Sequence, residues 1–178
     1  MRKFLVKRFK NCGISKIIIE RSSNVIKIVI NTAKPGLIIG KGGVDIEKLK
    51  TELKKSFIPK DISLEVNVVE EGAPNLSADI LLEGAIADLE KRVPYRRVMK
   101  KTIKQAQMGG ALGAKIALGG RLDGVEIARR EKLTWGKLPL HTLRADIDYA
   151  RAAARTIYGA VGAKIWVYRG EKFEKIKK

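Results

Sequence analysis

An α/β fold in two successive domains is what this sequence predicts, and three observations predict it. From residue 2 to residue 68, helical and strand periodicities follow one another as helix, strand, strand, helix, turn, helix, strand. A polar, breaker-rich run, Glu70-Glu71-Gly72-Ala73-Pro74-Asn75, then interrupts the pattern. Beyond it, two helical stretches are followed by several strand-like runs. The expected division is residues 1–70 and 76–170 as domains, 71–75 as linker and 171–178 as a charged tail.

Residues 2–10 form a short basic helix in this reading, with Phe4, Leu5, Val6 and Phe9 packing inward, and Asn11-Cys12-Gly13 ends it. Ile14 to Arg21 and Val25 to Thr32 are rich in Ile and Val and read as strands. Ser22-Ser23-Asn24 joins them as a hairpin. Next comes Lys34-Pro35-Gly36-Leu37-Ile38-Ile39-Gly40-Lys41-Gly42-Gly43: a proline break, one apolar turn, then glycines that let the backbone turn tightly and approach a partner. Asp45 is expected to accept hydrogen bonds from the free amides of the helix that follows, Val44 to Lys55. Ile46, Leu49 and Leu53 share one face of that helix, and Pro59 stops it. Ile62 to Val68 alternates strictly, as a strand buried on one side does.

The Gly-rich stretch is not a Walker A loop. Three residues, not four, separate Gly36 from Gly40, and Lys41 precedes Gly42 where a magnesium-binding hydroxyl belongs. A dinucleotide fingerprint fails too, because Asp45 stands where its last glycine should. Gly-x-x-Gly alone also occurs at Gly110–Gly113 and Gly159–Gly162, where an ordinary turn suffices. Only Gly40–Gly43 has an apolar turn before it, an amphipathic helix after it and a lysine inside. That setting resembles the clamp by which KH domains hold a nucleic-acid backbone. The element order is that of a type II KH domain, three strands with helices on one face.

Past residue 75, Leu76 to Arg92 reads as a helix with Leu81, Ala85, Ile86 and Leu89 on one stripe. Pro94 separates it from a second helix, Tyr95 to Met108. There Tyr95, Met99, Ile103 and Ala106 share a face, while Arg96, Arg97, Lys100, Lys101 and Lys104 lie opposite. No acid interrupts residues 91–104, and none stands three or four positions from these cations to pair with them. The repulsion is relieved if RNA phosphate faces them. Ala114 to Leu118 and Val125 to Leu133 are expected strands, with Arg121 on the turn between and Arg129-Arg130 on the second. Trp135 to Pro139 is an expected loop. Most of 143–157 is assigned to strand against its alanines, because Ala163 to Tyr168 alternates and needs a partner across a turn at Gly159–Gly162.

Composition narrows the function. Among 178 residues, 37 Lys+Arg against 19 Asp+Glu leave a net charge of +18, which a folded domain carries best beside an anionic partner. Nucleic acid is the expected partner and a membrane surface the second. No apolar stretch is long enough to span a membrane, and the basic start lacks the apolar core of a secretory signal. One cysteine, Cys12, forms no internal disulfide and suits a reducing compartment.

Two runs then resemble one family. Leu138-Pro139-Leu140-His141-Thr142-Leu143-Arg144-Ala145-Asp146-Ile147-Asp148-Tyr149, and Gly119-Gly120-Arg121-Leu122 followed by Glu126-Ile127-Ala128-Arg129, are similar to signatures of the third protein of the bacterial-type small ribosomal subunit. Residues 34–43, Tyr95 to Lys100 and Gly162 to Gly170 match it in place and order. The resemblance implies a KH domain followed by two helices on a small sheet. It implies a structural constituent of the subunit head that binds small-subunit ribosomal RNA and lines the tunnel through which messenger RNA enters, assisting passive unwinding. By the same resemblance, Gly40, Lys41, Gly42 and Gly43 contact RNA, Arg96, Arg97 and Lys100 face the messenger, and Arg121, Arg129, Arg130 and Arg144 hold ribosomal RNA; Lys101 and Lys104 join the messenger-facing set because they lie on the same basic side of the helix. Proteins ten and fourteen of the head, and four and five of the tunnel, are the implied neighbours. The implied place is the ribosome, in the cytoplasm or in an organelle. The family normally carries a segment upstream of the first KH helix, where this chain begins, which leaves a longer chain or a short member as alternatives. Ala117-Leu118-Gly119 replaces a more polar strand, and Asp123 stands where the family usually has Gly, putting a negative charge beside an RNA-contacting turn.

No catalytic constellation is legible, and the sequence calls for no cofactor or metal. His141 is the only histidine and reads as structural. Asp146 and Asp148 share a strand face beside Arg144 and Arg151, and salt pairing is the expected use. Two other classes compete with the ribosomal reading. A stand-alone KH RNA chaperone or assembly factor would not need the second-domain signature. An RNA-processing enzyme would need a carboxylate or histidine cluster.

Overall fold

Buried and open positions alternate along β2 (Val25–Thr32) and the first half of β3 (Ser63–Glu70), β1 (Ile14–Arg21) buries only Ile17, and the apolar side is covered by helices. The computed structural model describes residues 1–173 except Asn11, Ser23, Ile58, Lys60 and Asp61, with the Lys3 side chain left aside. The expected helix end at Asn11, the middle of the turn at Ser23 and residues 174–178 of the tail lie outside the described residues. The chain divides between Pro74 and Asn75 into two compact units.

In the first unit β1 and β2 are antiparallel, and β2 and β3 are parallel. A parallel pair needs a crossover. Here α2 (Pro35–Ile39), the Lys41–Gly43 turn and α3 (Val44–Phe57) supply it. Leu5 of α1 (Arg2–Arg8), Phe9 just past its end, Ile38 of α2 and Leu49 and Leu53 of α3 bury against Ile26, Ile28, Ile30, Leu64 and Val66. Val6 departs from expectation. It is 54% exposed, because a seven-residue helix has one buried stripe and Leu5 and Phe9 occupy it.

The second unit is a sheet in the order β5-β4-β7-β6, antiparallel throughout: β4 (Gly113–Gly120), β5 (Arg129–Gly136), β6 (Ala145–Thr156) and β7 (Gly159–Glu171). α4 (Ala78–Glu90) and α5 (Tyr95–Met108) cover one face, where Leu81, Leu82, Ala85, Val98, Met99 and Ile103 meet Ile116, Leu118, Ile165 and Val167.

Three expectations need correction here. β5 begins at Arg129, not Val125, and runs through Trp135, expected in a loop. Val125 and Ile127 alternate in sequence but stand exposed, so their pattern has no buried face behind it. The hairpin turns at Ile157-Tyr158, not at 159–162, since Thr156 pairs with Gly159 and Ala153 with Gly162 inside the ladder. β7 also runs on to Glu171, the first residue of the expected tail. The alanine-rich stretch is strand, as its partner demanded. Among the described residues no helix is long and apolar enough to cross a membrane.

Candidate nucleic-acid interface

The Gly-rich turn is held from behind by a buried threonine. Thr32, fully buried at the end of β2, donates its hydroxyl to the Cys12 carbonyl at 2.8 Å and accepts the Lys34 amide at 3.2 Å. Pro35 sits in the first turn of α2, where its missing N–H costs nothing. Ile38 anchors the helix, leaving Leu37 and Ile39 exposed beside the turn. Gly40 then takes φ 73° and ψ 177°, a conformation essentially confined to glycine, and Gly42 takes φ 62°. A Cβ on Gly40 would collide with the Asp45 carboxylate, whereas Gly42 and Gly43 have open space where a Cβ would stand. Among the described residues Asp45 accepts none of the cap hydrogen bonds expected of it, and its carboxylate lies against Gly40. Lys41 is exposed at the tip. The turn therefore presents bare backbone and one cation.

The basic helix works differently. The apolar side of α5 is buried through Val98, Met99, Thr102, Ile103 and Ala106, which fixes the direction of the other side. Arg96 and Arg97 occupy its first turn, where the helix dipole disfavours cations. Asp123 offsets this, since its carboxylate accepts the Tyr95 N–H at 3.2 Å. The departure from the expected Gly thus serves as the cap of α5. Asp123 adopts φ 54°, a left-handed conformation that Asp tolerates better than most residues.

The five cations of α5 are not equivalent. Arg96 donates Nε to the Tyr95 hydroxyl at 3.1 Å and lies 5.7 Å from its ring, and that hydrogen bond raises its pKa further. Lys101 pairs with Asp88 of α4 at 2.6 Å, a partner thirteen residues away that helix spacing does not reveal. Arg97, Lys100 and Lys104 are exposed and have no carboxylate partner among the described residues. Their spacing of three and four aligns them in one ridge, about 10 Å long at the helical rise.

The remaining arginines also separate. Arg121 turns inward: Nε donates to the Val125 carbonyl at 3.0 Å, the two terminal nitrogens reach the Tyr158 and Gly124 carbonyls at 3.4 Å, and the guanidinium lies 5.8 Å from the Tyr158 ring. It holds two turns together. Arg144 pairs with Glu171 at 2.8 Å. Arg129 and Arg130 are exposed on β5 and have no carboxylate partner among the described residues. Asp148 and Asp146 do pair, but with Arg169 at 2.6 Å and Lys172 at 3.0 Å rather than with Arg144 and Arg151. Asp148 also accepts the Ala78 N–H at 2.9 Å and so caps α4. Burial, and then the Asp148 charge, hold the neighbouring Asp79 carboxyl above its usual range. Among the described residues no group of three His, Cys, Asp or Glu has metal-binding geometry. Sequence reasoning missed Thr32, whose hydroxyl sits in an otherwise apolar strand pattern. It read Asp123 as a fault, because the cap it makes spans 28 residues.

Comparison with known proteins covers most of the chain. The KH domain family matches residues 1–73, and the family described as ribosomal protein S3, C-terminal domain, matches residues 86–167. The small ribosomal subunit protein uS3 of Pelotomaculum thermopropionicum is 48% identical over 177 residues, 99% of this chain and 75% of that protein. Its counterpart in Carboxydothermus hydrogenoformans is 47% identical over 178 residues, 100% of this chain and 79% of the other. That of Clostridium novyi is 50% identical over 171 residues, 96% and 76%.

Proposed function

The chain belongs to the uS3 family of small ribosomal subunit proteins, structural RNA-binding constituents rather than enzymes, and from that premise we propose that α5 faces messenger RNA where it enters the subunit. The observation that carries the reading is the ridge Arg97-Lys100-Lys104: three cations in line, without a carboxylate partner among the described residues, on a helix whose other side is locked in a core. Such a ridge holds phosphates of an opened strand without reading its sequence. It supplies no energy, so unwinding is passive: melted strands are captured as the ribosome advances. The Gly40–Gly43 turn clamps ribosomal RNA through its backbone, with Lys41 as its charge. Arg129 and Arg130 add ribosomal-RNA contacts. Head proteins ten and fourteen, and tunnel proteins four and five, are the neighbours in this reading.

The test is a crosslink. Small subunits carrying this protein are programmed with a message bearing 4-thiouridine downstream of the decoding position. Crosslinks should map to the peptide 96–104. Crosslinks that reach the protein only elsewhere would remove the messenger role from α5.

A further inference from the structure

The sheet of the second unit has a face that the helices leave open. Ile116, Leu118, Ala150, Ala154, Ile165 and Val167 are buried beneath α4 and α5, so the residues between them project the other way. Strand register sorts these into three rows. The first is Arg130, Gly119, Gly162 and Ala153. The second is Lys132, Ala117, Lys164 and Arg151. The third is Thr134, Lys115, Trp166 and Tyr149. Together they floor an open trough of about 1080 Å³.

Each row has a distinct chemistry. The middle row sets three cations across about 14 Å of sheet, at ~4.8 Å per strand. Arg151 stands directly opposite Lys164, a like-charge pair that destabilises the ladder unless an anion lies between the heads. Lys132, Arg151 and Lys164 are exposed and have no carboxylate partner among the described residues. The single acid lining the trough, Glu131, pairs in register with buried Leu118 and so projects to the helix side. In the first row only Arg130 carries a long side chain, and Gly162 and Ala153 beyond it let a polymer backbone lie close to the sheet. In the third row Tyr149 and Trp166 have ring centroids 5.2 Å apart, and Lys115 caps Trp166 at 5.0 Å. Tyr149, 44% exposed, keeps a ring available.

We propose that this face is a second RNA-binding surface, which takes one strand of RNA across the β-strands. The phosphates lie on Lys132, Lys164 and Arg151, the ribose edge lies over Gly119 and Gly162, and a base stacks against Tyr149. A cationic groove beside an aromatic platform is how single strands are held without sequence preference. An acidic protein segment would be drawn to the same charge but has no use for the aromatic row. The proposal rests on the ribosomal reading above and adds a surface to it. None of these side chains belongs to the ridge of α5 or to the Gly-rich turn.

The test uses the full chain and a fluorescein-labelled oligouridylate. Lys132→Gln, Arg151→Gln and Lys164→Gln together should lower the slope of log affinity against log salt by about two, at ~0.7 per phosphate contact. The charge-keeping set Lys132→Arg, Arg151→Lys and Lys164→Arg should retain the slope, which separates lost contacts from lost fold. In small subunits carrying Ala153→Cys in a Cys12→Ser background, iron–EDTA tethered at residue 153 should cleave ribosomal RNA. An unchanged salt slope, or tethered iron that reaches only protein, would overturn the proposal and leave the family role intact. Failure of the wild-type protein to enter small subunits would instead sink the ribosomal reading, and this proposal with it.

Discussion

The Gly40–Gly43 turn and the Arg97-Lys100-Lys104 ridge differ in what they expose. The turn exposes backbone, with positive φ at Gly40, Gly42 and Gly43, and a single cation. Its shape is specified by what is missing, the Cβ atoms, and by Thr32 and Ile38 behind it. The ridge exposes charge, and its shape is specified by what is present on the other side of the helix. Substitution in the turn therefore changes conformation before it changes charge. Substitution on the ridge changes charge and leaves conformation alone. Mutations divide the two regions by which property fails first.

Gly40→Ala should give the largest loss. Its ε-region backbone costs a non-glycine residue about 2 kcal/mol, and the new Cβ meets Asp45. Thermal melting should show the first unit destabilised by roughly that amount, and no loss would mean the turn relaxes freely. Gly42→Asp and Gly43→Asp meet open space but must hold positive φ, 62° and 79°, so each should cost about 1 kcal/mol of backbone strain, less than Gly40→Ala, while weakening RNA crosslinking at the turn. Unchanged crosslinking there would take the turn out of the interface. Thr32→Val removes a buried hydroxyl that serves two backbone partners, for about 1–2 kcal/mol, read by chemical unfolding.

Effects at the ridge are smaller and more specific. Asp123→Ala loses the cap of α5 and keeps the left-handed backbone, costing about 1 kcal/mol. Asp123→Gly loses the same cap but relieves the backbone, so its melting temperature should stay close to wild type. Equal losses in both would show that the cap alone matters. The smallest effect lies at Asp79, in the first turn of α4. Its folded pKa is raised by burial and then by Asp148, so the folded state binds more proton than the unfolded chain. Stability should fall as pH rises from the ordinary aspartate range through the raised value, then level off. Asp79→Asn should abolish that slope in pH-dependent melting.

How far this was legible from sequence depends on where the determining contact lies. α5 was legible to its ends, since Pro94, the apolar stripe and Met108-Gly109 are local. β6 was legible only through its partner, because Ala150 to Ala154 prefer helix and the alternation of β7 overrules them. The start of β5 was misplaced because Val125 and Ile127 alternate on an exposed loop, and a period without a core behind it specifies nothing. Gly159 and Gly162 look like a turn, yet Gly162 sits opposite Gly119 and Ala153 in the ladder. At the interface, residue types and helix face could be read. Which cations are free could not: Lys101 finds Asp88 and Arg121 finds three carbonyls only once the chain has folded.

If the ridge acts on structured messenger through charge alone, timed translation will show it. Small subunits carrying Arg97→Ala, Lys100→Ala and Lys104→Ala keep the buried side of α5 and gain slightly in helix propensity, so they should assemble normally. Elongation is timed on two messages, one with a stable hairpin downstream and one unstructured. Passage through the hairpin should be slowed, with near-normal speed on the unstructured message. Equal slowing on both, or no slowing at the hairpin, would contradict it.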